Sequence, residues 1–180
     1  QKEKDDKKAM EMYMKAIHIT LPDFDGKNPL RNNLLTFDEI MIINAIAILH
    51  AKADDIMTAV QLGMWLKKYM EEKIVDGTMK IAKYPMILYN LSNWLGRENC
   101  HKEALKMADL GIRFCIRYGN LAFFPILVFN KGGALAELGK IDQAKKYLHQ
   151  SVTIFEAMDR PDLIQVATDW CKLHYRIDIQ

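Results

Sequence analysis

The sequence predicts an all-α protein, a solenoid of stacked helix pairs. Three observations lead there. Apolar residues recur at helical spacing from end to end, whereas the alternation that marks half-buried strands is scarce. Gly and Pro are few, nine and five among 180 residues, so the breaks between helices are widely spaced. A block of sequence also repeats in register 40 residues further on, the mark of a stacked-repeat protein. Half of the residues are hydrophobic, enough for one continuous core and a single domain over 1–180.

The elements follow in order. Glu3 to Thr20 reads as one helix, stopped near Leu21-Pro22. Residues 1–22 are then the second helix of a repeat whose first helix would precede residue 1. Asp23-Phe24-Asp25-Gly26-Lys27-Asn28-Pro29 is rich in turn formers and reads as a loop. Thr36 with Glu39 three positions on makes a capping box that opens a helix to about His50. Asp54-Asp55 restart the chain in a second helix ending near Asp76-Gly77, so 36–77 is one pair.

Two further pairs, 79–119 and 120–159, carry the repeat. Tyr84-Pro85-Met86-Ile87-Leu88-Tyr89-Asn90 aligns without a gap on Phe124-Pro125-Ile126-Leu127-Val128-Phe129-Asn130. At the same offset Leu95 matches Leu135, Ala104 matches Ala144, and the small residues Ser92 and Gly111 match Gly132 and Ser151. A weaker copy surrounds Asn44, 46 residues before Asn90. Gly139 breaks the last copy and Asn99 stands at the same place one repeat earlier. Both types tolerate the left-handed backbone of a tight interhelical turn. The recurring small residues allow paired helices to approach closely. The segment 161–178, with Leu163-Ile164-x-Val166-Ala167-x-x-Trp170, is a closing helix, apolar enough to cap the solenoid or to pair with another copy.

These residues resemble the tetratricopeptide signature. Leu88-x2-Leu91-Ser92-x2-Leu95 is followed by Ala104-x3-Ala108, and Val128-x2-Lys131-Gly132-x2-Leu135 by Ala144-x3-Leu148. The resemblance implies a right-handed α-solenoid. The aromatic signature positions hold Leu or Ala, and Lys131 replaces an apolar residue. The 40-residue period also suits HEAT or armadillo repeats; the small-residue pattern and the two-helix division favour tetratricopeptide.

A narrower resemblance runs over most of residues 9–175. Leu21-Pro22-Asp23-Phe24-Asp25, Asn44-Ala45-Ile46-Ala47, Tyr84 through Ala104, Tyr118-Gly119 and Phe129-Asn130-Lys131-Gly132 through Leu138-Gly139 follow one another as in the sensor domain of Gram-positive helix-turn-helix regulators of the Rgg/PlcR type. The resemblance implies a cytoplasmic transcription regulator whose repeats bind a short signalling peptide and dimerise. DNA is reached only through an N-terminal DNA-binding domain that is absent from this chain.

On the tetratricopeptide register the first helix of each pair lines the groove. Its inner face would be Ile43, Asn44, Ala47 and His50; then Tyr89, Asn90, Asn93 and Arg97; then Phe129, Asn130, Gly133 and Glu137. Asn44, Asn90 and Asn130 recur at one repeat position. A primary amide donates and accepts, so it can hold a peptide backbone of any sequence, and the resemblance implies that role. The same amides could instead tie first helices to neighbouring backbone. Ile43, Tyr89 and Phe129 would receive apolar side chains, and Arg97 an acidic group or a terminal carboxylate.

Other functions find little support. The net charge is +2, with 27 % charged residues of mixed sign, which is no nucleic-acid-binding face. No apolar run approaches a membrane span. Cys100, Cys115 and Cys171 have no paired spacing and read as small buried hydrophobes of a reducing compartment. The five His are scattered, with no metal-ligand spacing, and no catalytic or cofactor motif is present. No enzyme, metal or cofactor is therefore expected. The alternative is a general tetratricopeptide scaffold or adaptor. A clamp for acidic tails would need Lys or Arg where Ile43, Tyr89 and Phe129 stand. A phosphatase or enzyme regulator of the Rap type would need an additional helical bundle for which the chain lacks room.

Overall fold

The computed structural model describes residues 2–28, 34–74 and 77–177. Among them stand eight helices: α1 Lys2–Ile17, α2 Phe37–Lys52, α3 Ile56–Glu72, α4 Gly77–Arg97, α5 His101–Tyr118, α6 Phe124–Glu137, α7 Ile141–Ala157 and α8 Pro161–Tyr175. Each packs on the next from α1 to α8, and α4 also touches α2 and α6. Neighbour-on-neighbour packing with first helices side by side is an α-solenoid. Two packed clusters follow one another along it, and Leu105 of α5 touches both.

One turn joins the helices again and again. Asp54, Asn99, Gly139 and Asp159 all have positive φ, between 51° and 74°. The residue after each donates its N–H to the carbonyl five positions back: Asp55 to His50, Cys100 to Leu95, Lys140 to Leu135 and Arg160 to Phe155. This is the Schellman closure, which satisfies carbonyls that a helix end leaves open. Asn and Asp accept the left-handed state because their short polar side chains tolerate it.

Helix starts are chemically specified in the first pair. Thr36 Oγ1 accepts from the Glu39 N–H at 3.3 Å, and the Glu39 carboxylate accepts from the Thr36 N–H at 2.6 Å. Burial would raise the Glu39 pKa, but hydrogen bonds from Thr20 and Thr36 outweigh it and hold the carboxyl below its ordinary range. Asp55 caps α3 by accepting from the Thr58 N–H. α1 stops at Ile17 rather than Thr20. α3 stops at Glu72, and Gly77, read as the end of that helix, instead opens α4. Asp76 lies outside the described residues.

The matched prolines differ in role. Pro125 occupies the first turn of α6, where its missing N–H costs nothing. Pro85 sits inside α4, which starts eight residues earlier, so the Ile81 carbonyl loses its helical donor. Asn120 replaces it: its Nδ2 donates to the Ile81 carbonyl at 2.7 Å. Asn120→Ala should therefore cost about 1–2 kcal/mol, since a partly buried carbonyl is left open. Chemical denaturation of Asn120→Ala against Pro85→Ala/Asn120→Ala checks this, because the double variant regains the helical donor and recovers much of the loss.

Small residues sit where helices touch. A Cβ at Gly132 would stand 2.7 Å from Leu148 Cγ and 3.2 Å from the Leu148 backbone nitrogen. Ala104 and Ala144 are buried. Lys131, out of place in an apolar signature, pairs with Asp109 at 2.6 Å and lies 4.1 Å from the Tyr147 ring centroid. Cys115 and Cys171 are buried, which pushes both thiols up to about 11. Cys100 corrects the reading of three buried cysteines: it is exposed, because it is the N-cap of α5 at the interhelical turn.

Candidate functional site

A cavity of about 600 Å³ opens between the inner faces of α4 and α6, the start of α5 and the closing helix α8. From α4 come Tyr89, Asn93 and Arg97, four residues apart and so on one helix face. From α6 come Phe129, Asn130, Gly133 and Glu137 on the same principle. Gly133 leaves room for α8, since a Cβ there would lie 3.0 Å from the Tyr175 hydroxyl oxygen.

The aromatic groups fall in two clusters. Trp170 lies 6.1 Å from Phe129 and 5.0 Å from Tyr175, both edge to face, and 4.3 Å from His174. Tyr89 stacks on Phe123 at 6.0 Å. Burial raises the pKa of the Tyr89 hydroxyl. Edge-to-face contacts between rings add specific geometry to the area they bury.

The structure separates the candidate residues into two groups. Tyr89, Asn93, Arg97, Phe129 and Asn130 line the cavity; Ile43, Asn44, His50 and Asn90 do not. Ile43 is completely buried in the core. His50 is tied on both ring nitrogens, Nδ1 3.0 Å from the Asp55 carboxylate and Nε2 2.9 Å from the Gly26 carbonyl. Asn90 Nδ2 donates to Asn44 Oδ1 at 3.0 Å, joining α4 to α2, with both residues buried. Asn130 Nδ2 donates to Ser92 Oγ at 2.7 Å and more weakly to the Tyr89 carbonyl at 3.4 Å, joining α6 to α4.

The amide ladder thus links one first helix to the next. Its outermost member alone reaches the cavity, and among the described residues the Asn130 Oδ1 carries no hydrogen bond. Asn93 is the freer amide: exposed, with no hydrogen bond among the described residues. Arg97 donates from Nη1 to the Ala51 carbonyl at 2.9 Å and from Nη2 to Asp54 at 3.0 Å, bracing the turn between α2 and α3.

The α8 wall was not singled out as a groove lining in the sequence. The signal was there as spacing: Leu163, Val166 and Trp170 share one helix face, and all three line the cavity. His101 also lines it. Its Nδ1 is buried and unpartnered among the described residues, and its Nε2 lies 3.9 Å from the Glu137 carboxylate. No helix among the described residues is long and apolar enough to cross a membrane.

No protein-family model and no curated protein matches the sequence. Among solved structures, the fold is similar to that of Bacillus thuringiensis PlcR, crystallised in complex with the peptide PapR7 and DNA. The TM-score is 0.68 at 17 % identity, over 88 % of this chain and 53 % of that one. The chain therefore shares an α-solenoid with PlcR while spanning about half of its length.

Proposed function

We propose that this chain is the ligand-sensing domain of a cytoplasmic transcription regulator, and that it binds a short, extended, mainly hydrophobic peptide in the cavity between α4, α6 and α8. The observation that carries the reading is the cavity's composition. It joins an aromatic wall of Phe129, Trp170 and Tyr175 to the whole amide of Asn93 and the Oδ1 of Asn130, which carry no hydrogen bond among the described residues. Aromatic surface accepts apolar side chains. Amides satisfy a peptide backbone whatever its sequence. A volume of about 600 Å³ falls in the range of ligand sites that bury most of what they bind. The shared fold supports the same reading, since PlcR was crystallised with a peptide and DNA.

Regulation follows from the position of α8. It supplies one wall of the cavity, while its packing partner in the solenoid is α7. A peptide that fits one placement of α8 better than another shifts the population toward it. That shift would act on an attached helix-turn-helix domain or on a second copy of the chain. Pairing of two copies belongs to this reading; the exposed Leu173 of α8, outside the cavity lining, is its candidate contact.

Asn93 tests the proposal because it is exposed and bound to nothing in the fold. Calorimetric titration with a pool of hydrophobic heptapeptides should show binding to the wild type. Asn93→Ala should weaken it about threefold to tenfold, the worth of one net hydrogen bond of roughly 0.5–1.5 kcal/mol. The melting curve should stay in place. Equal affinity in the variant would remove Asn93 from the site.

A further inference from the structure

We infer that the cavity selects a ligand carrying a cationic group, which docks against Glu137 beside Tyr175; this rests on the peptide-binding reading above. The argument starts from the charges that line the cavity. Arg97 spends its guanidinium on the Ala51 carbonyl and the Asp54 carboxylate. Glu137 has no such partner: among the described residues its carboxylate meets only His101, at 3.9 Å, beyond hydrogen-bond reach. Besides the imidazoles of His101 and His174, the charge of the lining left without a hydrogen-bonded partner is therefore the negative one of Glu137.

The backbone reinforces it. Glu137 is the last residue of α6, and no basic residue stands in that last turn. A helix C-terminus carries partial negative charge and favours cations. A carboxylate there runs against the usual preference, so the two negative fields add at one end of the cavity. An aromatic ring adds a third contribution. The ring beside Glu137 is Tyr175, whose hydroxyl oxygen would stand 3.0 Å from a Cβ at Gly133, one turn before Glu137, and aromatic rings attract an ammonium or guanidinium. The Tyr175 hydroxyl lies within the field of Glu137. Carboxylate, helix end and aromatic ring together describe a site for a cation attached to apolar matter. The free N-terminus of a peptide, or a Lys or Arg side chain within it, has that chemistry.

Four heptapeptide pools built from Leu, Ile, Phe, Gly, Ser and Thr, all amidated at the C-terminus, separate the possibilities. One has a free N-terminus, one is N-acetylated, one is N-acetylated with a single Lys or Arg, and one is N-acetylated with a single Glu. Tryptophan fluorescence reads binding, since Trp170 lies in the wall. At least one cationic pool should bind roughly tenfold more tightly than the neutral acetylated pool, and the Glu pool should bind most weakly. Which cationic pool gains tells the N-terminus from the side chain. In Glu137→Gln the ratio of cationic to neutral binding should fall close to one. The variant's melting point should equal or exceed the wild type's, because a charge opposed by the helix end is gone. Equal binding of neutral and cationic pools, or a ratio unchanged in Glu137→Gln, overturns this inference and leaves the peptide-sensing reading standing. Binding by no pool overturns both.

Discussion

Gly132→Leu is expected to be the most damaging single change in the protein. The Cβ alone would stand 2.7 Å from Leu148 Cγ and 2.8 Å from Leu148 Cδ2. A methyl terminus can rotate away, but the Leu148 backbone nitrogen at 3.2 Å cannot. α6 and α7 would have to separate, and both are core helices of the second packed cluster. Overpacking typically costs about 1–3 kcal/mol, and Leu here belongs at or above the top of that range. For a chain of this size, 3 kcal/mol lowers the thermal midpoint by roughly 6–12 °C. Gly111 provides the contrast. Its Cβ would meet only the far end of Leu127, at 2.8 Å from each methyl, and that side chain can shift. Thermal melts should therefore rank Gly132→Leu well below Gly132→Ala, with Gly111→Ala the mildest of the three. A midpoint for Gly132→Leu within a degree of the wild type would show that the two helices do not meet as described.

Asn90→Ala should come second, and its effect should fall on stability. Removing the Asn90 amide leaves Asn44 Oδ1 without its donor between α2 and α4, where both side chains are buried. An orphaned buried acceptor costs about 1–3 kcal/mol, a fall of roughly 2–12 °C in the midpoint. Asn44→Leu/Asn90→Leu should recover part of it, since removing both polar partners spares the desolvation of either. The discriminating comparison is with Asn93→Ala, which should weaken peptide binding and leave the melt unchanged. If Asn90→Ala melts normally while losing affinity, the amide acts on the ligand and the tie to Asn44 is incidental.

The fold was legible because its determinants are local or repeated. Helical spacing, the Thr36–Glu39 box and the left-handed turns at Asn99 and Gly139 are each written within a few neighbouring residues. The 40-residue register then marks Ser92 and Gly132 as equivalent places, and close approach is what small residues at equivalent places permit. The boundary at Gly77 was harder to place. A Gly between two helices suits the end of one or the start of the next, and the structure puts it at the start of α4.

The candidate site was legible as a set of repeat positions but not as a surface. Tyr89 and Asn90 are neighbours, so on a helix they point about 100° apart. Neighbours so placed need not share a surface, although Phe129 and Asn130 both line the cavity. Sequence puts the pair on the inner half of α4. The rotation of α4 about its own axis, set by its contacts with α2 and α6, turns Tyr89 to the cavity and Asn90 to Asn44. The first-repeat residues Ile43, Asn44 and His50 fall inside the stack for the same reason. Two further features depend on residues far apart in the chain. Asn120 serves the Ile81 carbonyl that Pro85 releases, and α8 brings Trp170 within reach of Phe129. The sequence by itself determined an all-α repeat solenoid, its turns and its close helix contacts, since these are properties of short segments and their periodicity. Only the tertiary structure decided which inner residues meet a ligand and which meet each other, because that choice depends on helix rotation and long-range closure, which no local pattern encodes.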